Sequence, residues 1–192
     1  AEIFVRQRRL NEAASALEKA FAADREDPEA LRVRGELFLA KGDFRAAQDL
    51  FERFAQWKPQ DPRAWSGLAL AHIGRNNRAG ARAALAQAEA RAPAGVETQF
   101  AAGEILAHEQ DLDRAFTAFR KTIEANARFA PGYLRRGAIY EAWNVPGAAL
   151  RDYRMCLELL ELPREHPFAR DIAARIAKLR ADLGAEGPGE MR

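Results

Sequence analysis

Small residues recur in this chain at a fixed interval of 34: Gly35, Ala69, Gly103 and Gly137 in one register, and Ala13, Ala47, Ala81, Ala115 and Ala149 in a second. A period of that length restricts the fold more than any local motif can. Every unit must be the same short piece of structure, packed on its neighbours. Larger apolar residues keep the same frame. Leu17, Phe51, Leu85, Phe119 and Tyr153 each follow a second-register alanine by four residues. Leu31, Trp65 and Tyr133 each precede a first-register residue by four, with Gln99 the exception. Phe4, Phe38, Leu106 and Tyr140 form a third set, in which His72 stands in for the aromatic. Within each unit the apolar spacing is three and four, the period of an amphipathic helix, and nothing alternates with period two over a useful length.

Each unit therefore predicts two antiparallel helices. In the unit that begins at Pro28, the first helix carries Leu31, Gly35 and Phe38. Lys41-Gly42-Asp43 breaks it, the glycine supplying a left-handed C-cap and the aspartate the next N-cap. The second helix carries Phe44, Ala47, Phe51 and Phe54, and Pro59 closes it. Asn76-Asn77 and Gln110-Asp111 mark the same turn in later units, and Asn144-Val145-Pro146 marks it in the last, where proline suits a first helical turn. The small residues are expected where helices touch, with Phe51-like and Trp65-like side chains filling the gaps between units. No hairpin can bury its apolar face alone, so at least three must stack.

Trp65, Leu68, Ala69, Ala81, Leu85, Ala88 and Pro93 in one unit, and Tyr133, Gly137, Tyr140, Ala149 and Tyr153 in another, resemble the tetratricopeptide repeat. Pentatricopeptide repeats are the close rival, and the strict step of 34 disfavours their slightly longer helix pair. The resemblance implies an all-α solenoid of stacked antiparallel hairpins, wound as a right-handed superhelix and closed by a capping helix. Three positions depart from the pattern: Gln99 lacks the large residue, and Ala127 and Glu161 replace the closing proline. Loosened local packing is expected there.

The frame sets expected boundaries. Residues 1–27 are a partial unit, mainly its second helix, because counting 34 back from Gly35 lands on Ala1; the natural protein is expected to extend upstream. Four units follow at 28–61, 62–95, 96–129 and 130–163, then a capping helix at 164–184 and a flexible tail at 185–192. From Pro167 to Leu183 the pattern places Phe168, Ile172, Ile176, Leu179 and Leu183 on one face and Arg170, Arg175, Lys178, Arg180 and Asp182 on the other. Such a helix suits a cap, apolar toward the stack and charged toward water. Gly184 is expected to end it.

Charge narrows the function classes. Thirty Lys and Arg against 28 Asp and Glu leave a net charge of only +2 in 192 residues, which argues against a partner held by neutralising many phosphates. Cys156 is the single cysteine, so the chain has no internal disulfide. The charge-free stretch Ala64–Gly74 is only 11 residues, against about 20 for a membrane span. Dense alanine and arginine usage points to a GC-rich bacterial source. The cytoplasm and the periplasm are both compatible with the composition.

Motifs for chemistry are missing. There is no His-Glu-x-x-His, Cys-x-x-Cys, Gly-x-Gly-x-x-Gly or phosphate loop. His72 reads as a core histidine in an aromatic position, and Cys156, one turn from Tyr153, as a structural thiol. His108-Glu109-Gln110-Asp111 looks like a ligand cluster but falls at a helix end, where polar turn residues belong. The expectation is a non-enzyme with no cofactor and no metal.

The resemblance implies a groove lined by the first helices, and hence a protein or peptide partner. The residues it places inward are Glu29, Arg32, Glu36 and Leu39; Arg63, Ser66, Leu70 and Ile73; Glu97, Phe100, Glu104 and His108; and Leu134, Ala138 and Glu141. Leu39, Leu70, Ile73, Phe100 and Leu134 would form an apolar strip, with glutamates outnumbering Arg32 and Arg63. A partner segment with apolar and basic residues fits that surface. Family members that grip chaperone C-termini use a lysine, asparagine and arginine clamp, whereas the matching places here hold Arg32, Glu36, Gly67, Glu97 and Ala101. The expected role is a scaffold within a bacterial assembly, such as pilus or secretion assembly, envelope biogenesis or regulation. A structural arm or self-association module attached to an upstream domain is the alternative.

Overall fold

The computed structural model describes residues 27–185; the partial unit expected at 1–27, apart from Asp27, and the tail beyond 185 lie outside that range. Among the described residues there are nine α-helices and no strand. They are α1 (Pro28–Lys41), α2 (Phe44–Trp57), α3 (Pro62–Gly74), α4 (Arg78–Arg91), α5 (Val96–His108), α6 (Leu112–Ala125), α7 (Ala130–Ala142), α8 (Pro146–Leu160) and α9 (Pro167–Ala185).

One turn joins the helices of each pair, repeated every 34 residues. Gly42 (φ 78°), Asn76 (φ 59°), Gln110 (φ 66°) and Asn144 (φ 56°) all take the left-handed conformation. Their N–H groups donate to Leu39 O, Ile73 O, Ala107 O and Glu141 O at 2.9–3.1 Å, satisfying carbonyls the ending helix leaves open. The next residue starts the second helix. Asp43, Asn77 and Asp111 accept from the N–H groups of Ala46, Gly80 and Arg114 at 3.0–3.1 Å. Val145 has no such acceptor, and Pro146 opens α8 instead.

The described residues divide into two compact units, the first ending at Ala125 and the second beginning at Asn126. In the first, α1 packs against α3 and α3 against α5, so the first helices make one layer; α2 packs against α3 and α4 against α5. Phe51 shows why small residues recur. A Cβ added at Gly35 would lie 2.8 Å from the Phe51 ring, and one added at Gly67, in the next hairpin, 2.3 Å from it. One buried ring thus joins two hairpins across two bare backbones. Phe119 lies over Gly103 within its own hairpin.

In the second unit, α7 packs on α8 and α8 on α9. Tyr153 and Cys156 of α8 and Ile172, Ile176 and Leu179 of α9 share its core. Leu183 departs from the expected apolar face, being 40% exposed. At 19 residues α9 is longer than the 15-residue α8 it packs against, and Leu183 stands in its last turn.

Gln99 is not the packing defect its residue type suggests. Trp65 Nε1 donates to Pro59 O at 2.9 Å and Tyr133 OH to Ala127 O at 3.1 Å. Gln99 Nε2 donates to Pro93 O, again six residues back. In these three copies the side chain ends in a donor that satisfies a carbonyl of the loop between hairpins, whereas Leu31 in the same register is wholly buried and has none. At Ala127, where the pattern has proline, the accepting group is still the backbone carbonyl.

Candidate functional site

The first-helix layer of the first unit collects most of the residues expected to face a partner. Leu39 of α1 and Leu70 of α3 are half-buried against the core, and Phe100 of α5 is half-buried with its ring 5.7 Å from that of Phe119. Each retains a part-exposed apolar surface on a different first helix. Glu97 is half-buried, and His108 is exposed at the end of α5. Glu104 is half-buried, with one carboxylate oxygen removed from solvent.

Ile73 belongs to the core instead. It is 7% exposed, because the helical period turns it into the cluster shared with Phe51 and Leu68. Ser66 is likewise 1% exposed. Arg32 is 2% exposed, a burial that an arginine tolerates when its charge is paired. Its Nε donates to Glu29 at 2.8 Å, and Nη1 donates to Glu36.

These pairs are part of a longer ladder. Arg63 Nη2 reaches Glu29 at 3.0 Å from α3 and also holds Asp61 at 2.6 Å. The run Asp61, Arg63, Glu29, Arg32, Glu36 thus ties α1 to α3 by alternating charge. Burial works against the Asp61 carboxylate, but hydrogen bonds from Arg63 and the charges of Arg63 and Arg32 outweigh it and hold that carboxyl below its ordinary value. The surface here carries three acids and two arginines, so its acidity is milder than a count of glutamates suggests.

Leu134 and Glu141 lie in the second unit. Leu134 is half-buried against that unit's core. The Glu141 carboxylate accepts from Tyr153 OH at 2.7 Å and from Arg175 at 3.3 Å, so it joins α7 to α8 and α9. Burial, then the Glu141 hydrogen bond, push the Tyr153 hydroxyl up to about 12. Sequence reading also passed over Arg136 and Asp152, which form a two-pronged pair at 2.7 and 2.8 Å between α7 and α8. Asp152 is 5% exposed, and an acid on an otherwise buried helix face was the signal available.

The remaining chemical candidates have structural employment. Glu109 pairs with Arg82 across hairpins, Gln110 occupies the left-handed turn, and Asp111 caps α6. No group of three or more His, Cys, Asp or Glu side chains that could hold a metal ion is found among the described residues. Burial pushes the Cys156 thiol up to about 12, far from the thiolate a nucleophile needs. No helix among the described residues is long and apolar enough to cross a membrane.

The tetratricopeptide repeat family model matches residues 4–71 and 38–102, together 99 of the 192 residues. No curated protein matches the sequence. Among solved structures, the thermophilic tetratricopeptide protein TTC0263 of Thermus thermophilus is similar at 19% identity and a TM-score of 0.70, over 90% of this chain and 91% of that one. PilW, described as a widely conserved type IV pilus biogenesis factor, is similar at 18% identity and 0.58, over 98% and 90%. YrrB, described as having an unusual peptide-binding site, is similar at 22% and 0.51, over 85% and 84%. At these identities the likeness is one of fold.

Proposed function

Because the chain belongs to the tetratricopeptide repeat family, we propose that it is a protein–protein interaction scaffold, without catalysis of its own, that holds a partner segment on the first-helix face of α1, α3 and α5. One observation carries this reading: Leu39, Leu70 and Phe100 expose apolar surface on three successive first helices that pack as one layer. Solenoids of this class bind along the inner surface that such a layer lines. Glu97 lies on α5 three residues from Phe100, so the partner is a peptide or helix with central apolar residues and flanking lysine or arginine. The fold likeness to PilW and YrrB supports a bacterial assembly role with peptide recognition; pilus or secretion assembly, envelope biogenesis and regulation are the settings.

A second reading, a structural or self-associating arm of a larger protein, draws on the ion ladder. Asp61, Arg63, Glu29, Arg32 and Glu36 satisfy one another, as a surface facing only solvent does.

Selection from a displayed random peptide library, followed by binding kinetics, separates the two. Apolar contacts at the centre govern dissociation, and charges at the rim govern encounter. Phe100→Ala is expected to speed dissociation of the selected peptides about tenfold, a loss of about 1.4 kcal/mol. Glu97→Lys is expected to slow association and flatten its salt dependence. Peptides that bind both variants as they bind the parent protein would place recognition elsewhere, and failure to select any would favour the arm.

A further inference from the structure

His72 occupies the place where other repeats carry Phe38, Leu106 or Tyr140, yet it makes a contact no hydrocarbon ring can make. Its Nδ1 lies 3.2 Å from the side-chain nitrogen of Asn77, the residue that caps α4. The amide orientation is fixed from the other side, because Asn77 Oδ1 accepts from Gly80 N–H at 3.0 Å. The amide therefore turns its NH2 toward the ring. Nδ1 must accept, and the neutral ring carries its proton on Nε2.

We propose that His72 and Asn77 form an acid-sensitive latch on the second hairpin, in which protonation of Nδ1 sets a donor against a donor and releases the cap of α4. Asn77 cannot turn over to meet the imidazolium without withdrawing Oδ1 from Gly80. Both side chains lie close over Gly80, where an added Cβ would be 2.6 Å from the Asn77 amide nitrogen and 2.9 Å from the ring. α4 is also the helix of the first unit with the slightest anchorage. It fully buries only Ala81, Ala84 and Ala88, where α2 buries Leu50, Phe51 and Phe54. Losing its cap therefore matters more to α4 than to its neighbours.

The surroundings divide. Among the described residues, the charges acting on the ring are Glu52 of α2, which favours the imidazolium, and Arg75 beyond the end of α3, which opposes it. The carboxyl end of α3 also favours a cation. Burial is the largest influence and holds His72 below its ordinary value of 6.5. The sign follows. The unfolded chain takes up the proton first, so this contribution to stability is complete above about pH 6.5 and is lost as pH falls through the lower folded value.

Nitrogen-detected NMR of the histidine rings, with amide exchange at Gly80 corrected for intrinsic rate, tests this in the full chain. At about pH 7.5 His72 is expected as the Nε2–H tautomer, and Gly80 protection should fall as pH drops from about 6.5 to the folded midpoint and level off below it. His72→Phe should abolish that dependence. Asn77→Asp keeps a capping oxygen and offers an acceptor to the imidazolium, so it should raise the His72 midpoint and remove the loss of protection. Gly80 protection that is constant across the titration, or that falls equally in Asn77→Asp, overturns the latch.

Discussion

At the scale of single residues, the 34-residue register assigns backbone conformation as well as burial. Gly42, Asn76, Gln110 and Asn144 share one left-handed turn, yet only the first is glycine. Gln110 bears a Cβ where the chain prefers none, at a cost of about 1 kcal/mol. Gln110→Gly is expected to stabilise the protein by about 0.5–1 kcal/mol in urea denaturation. Gly67 makes the opposite case: an alanine methyl there would overlap the Phe51 ring, and Gly67→Ala is expected to cost about 1–3 kcal/mol. Gly67 lies outside both small-residue registers, so periodicity did not single it out. The close approach depends on how far the Phe51 ring reaches into the next hairpin, and one-dimensional spacing does not record that. Gln99 misleads for a related reason, since hydrophobicity hides the donor that it shares with Trp65 and Tyr133.

At the scale of elements, helix existence and order were legible because each helix repeats a pattern seen four times. The cap α9 has no earlier copy, yet its own period identified the buried face, with Ile172, Ile176 and Leu179 inward. Deleting residues 167–192 should bare α8 beside Leu160 and Cys156 and produce dimers or aggregates in light scattering. A truncated chain that stays monomeric with unchanged thermal unfolding would rule out a capping role. Groove assignment was less legible. Which first-helix positions stay open depends on what the adjacent hairpin covers, so Ile73 and Arg32 passed as surface although both are buried. Glu141 passed as rim although Tyr153 and Arg175 engage it, because partners 12 and 34 residues away leave no local trace.

At the scale of the molecule, the family model and the fold likeness rest on the same repeat that the sequence displays. The recognition surface does not: it rests on three half-buried apolar side chains on α1, α3 and α5, whose meaning only a ligand can reveal. Hydrogen–deuterium exchange with and without a library-selected peptide tests that most directly, since a ligand slows opening of the elements it touches. Slowed exchange is expected in α1, α3 and α5, residues 28–41, 62–74 and 96–108, with little change in the amides of α2, α4 and α6. Protection concentrated in α2, α4 and α6, or confined to residues 130–185, would contradict it.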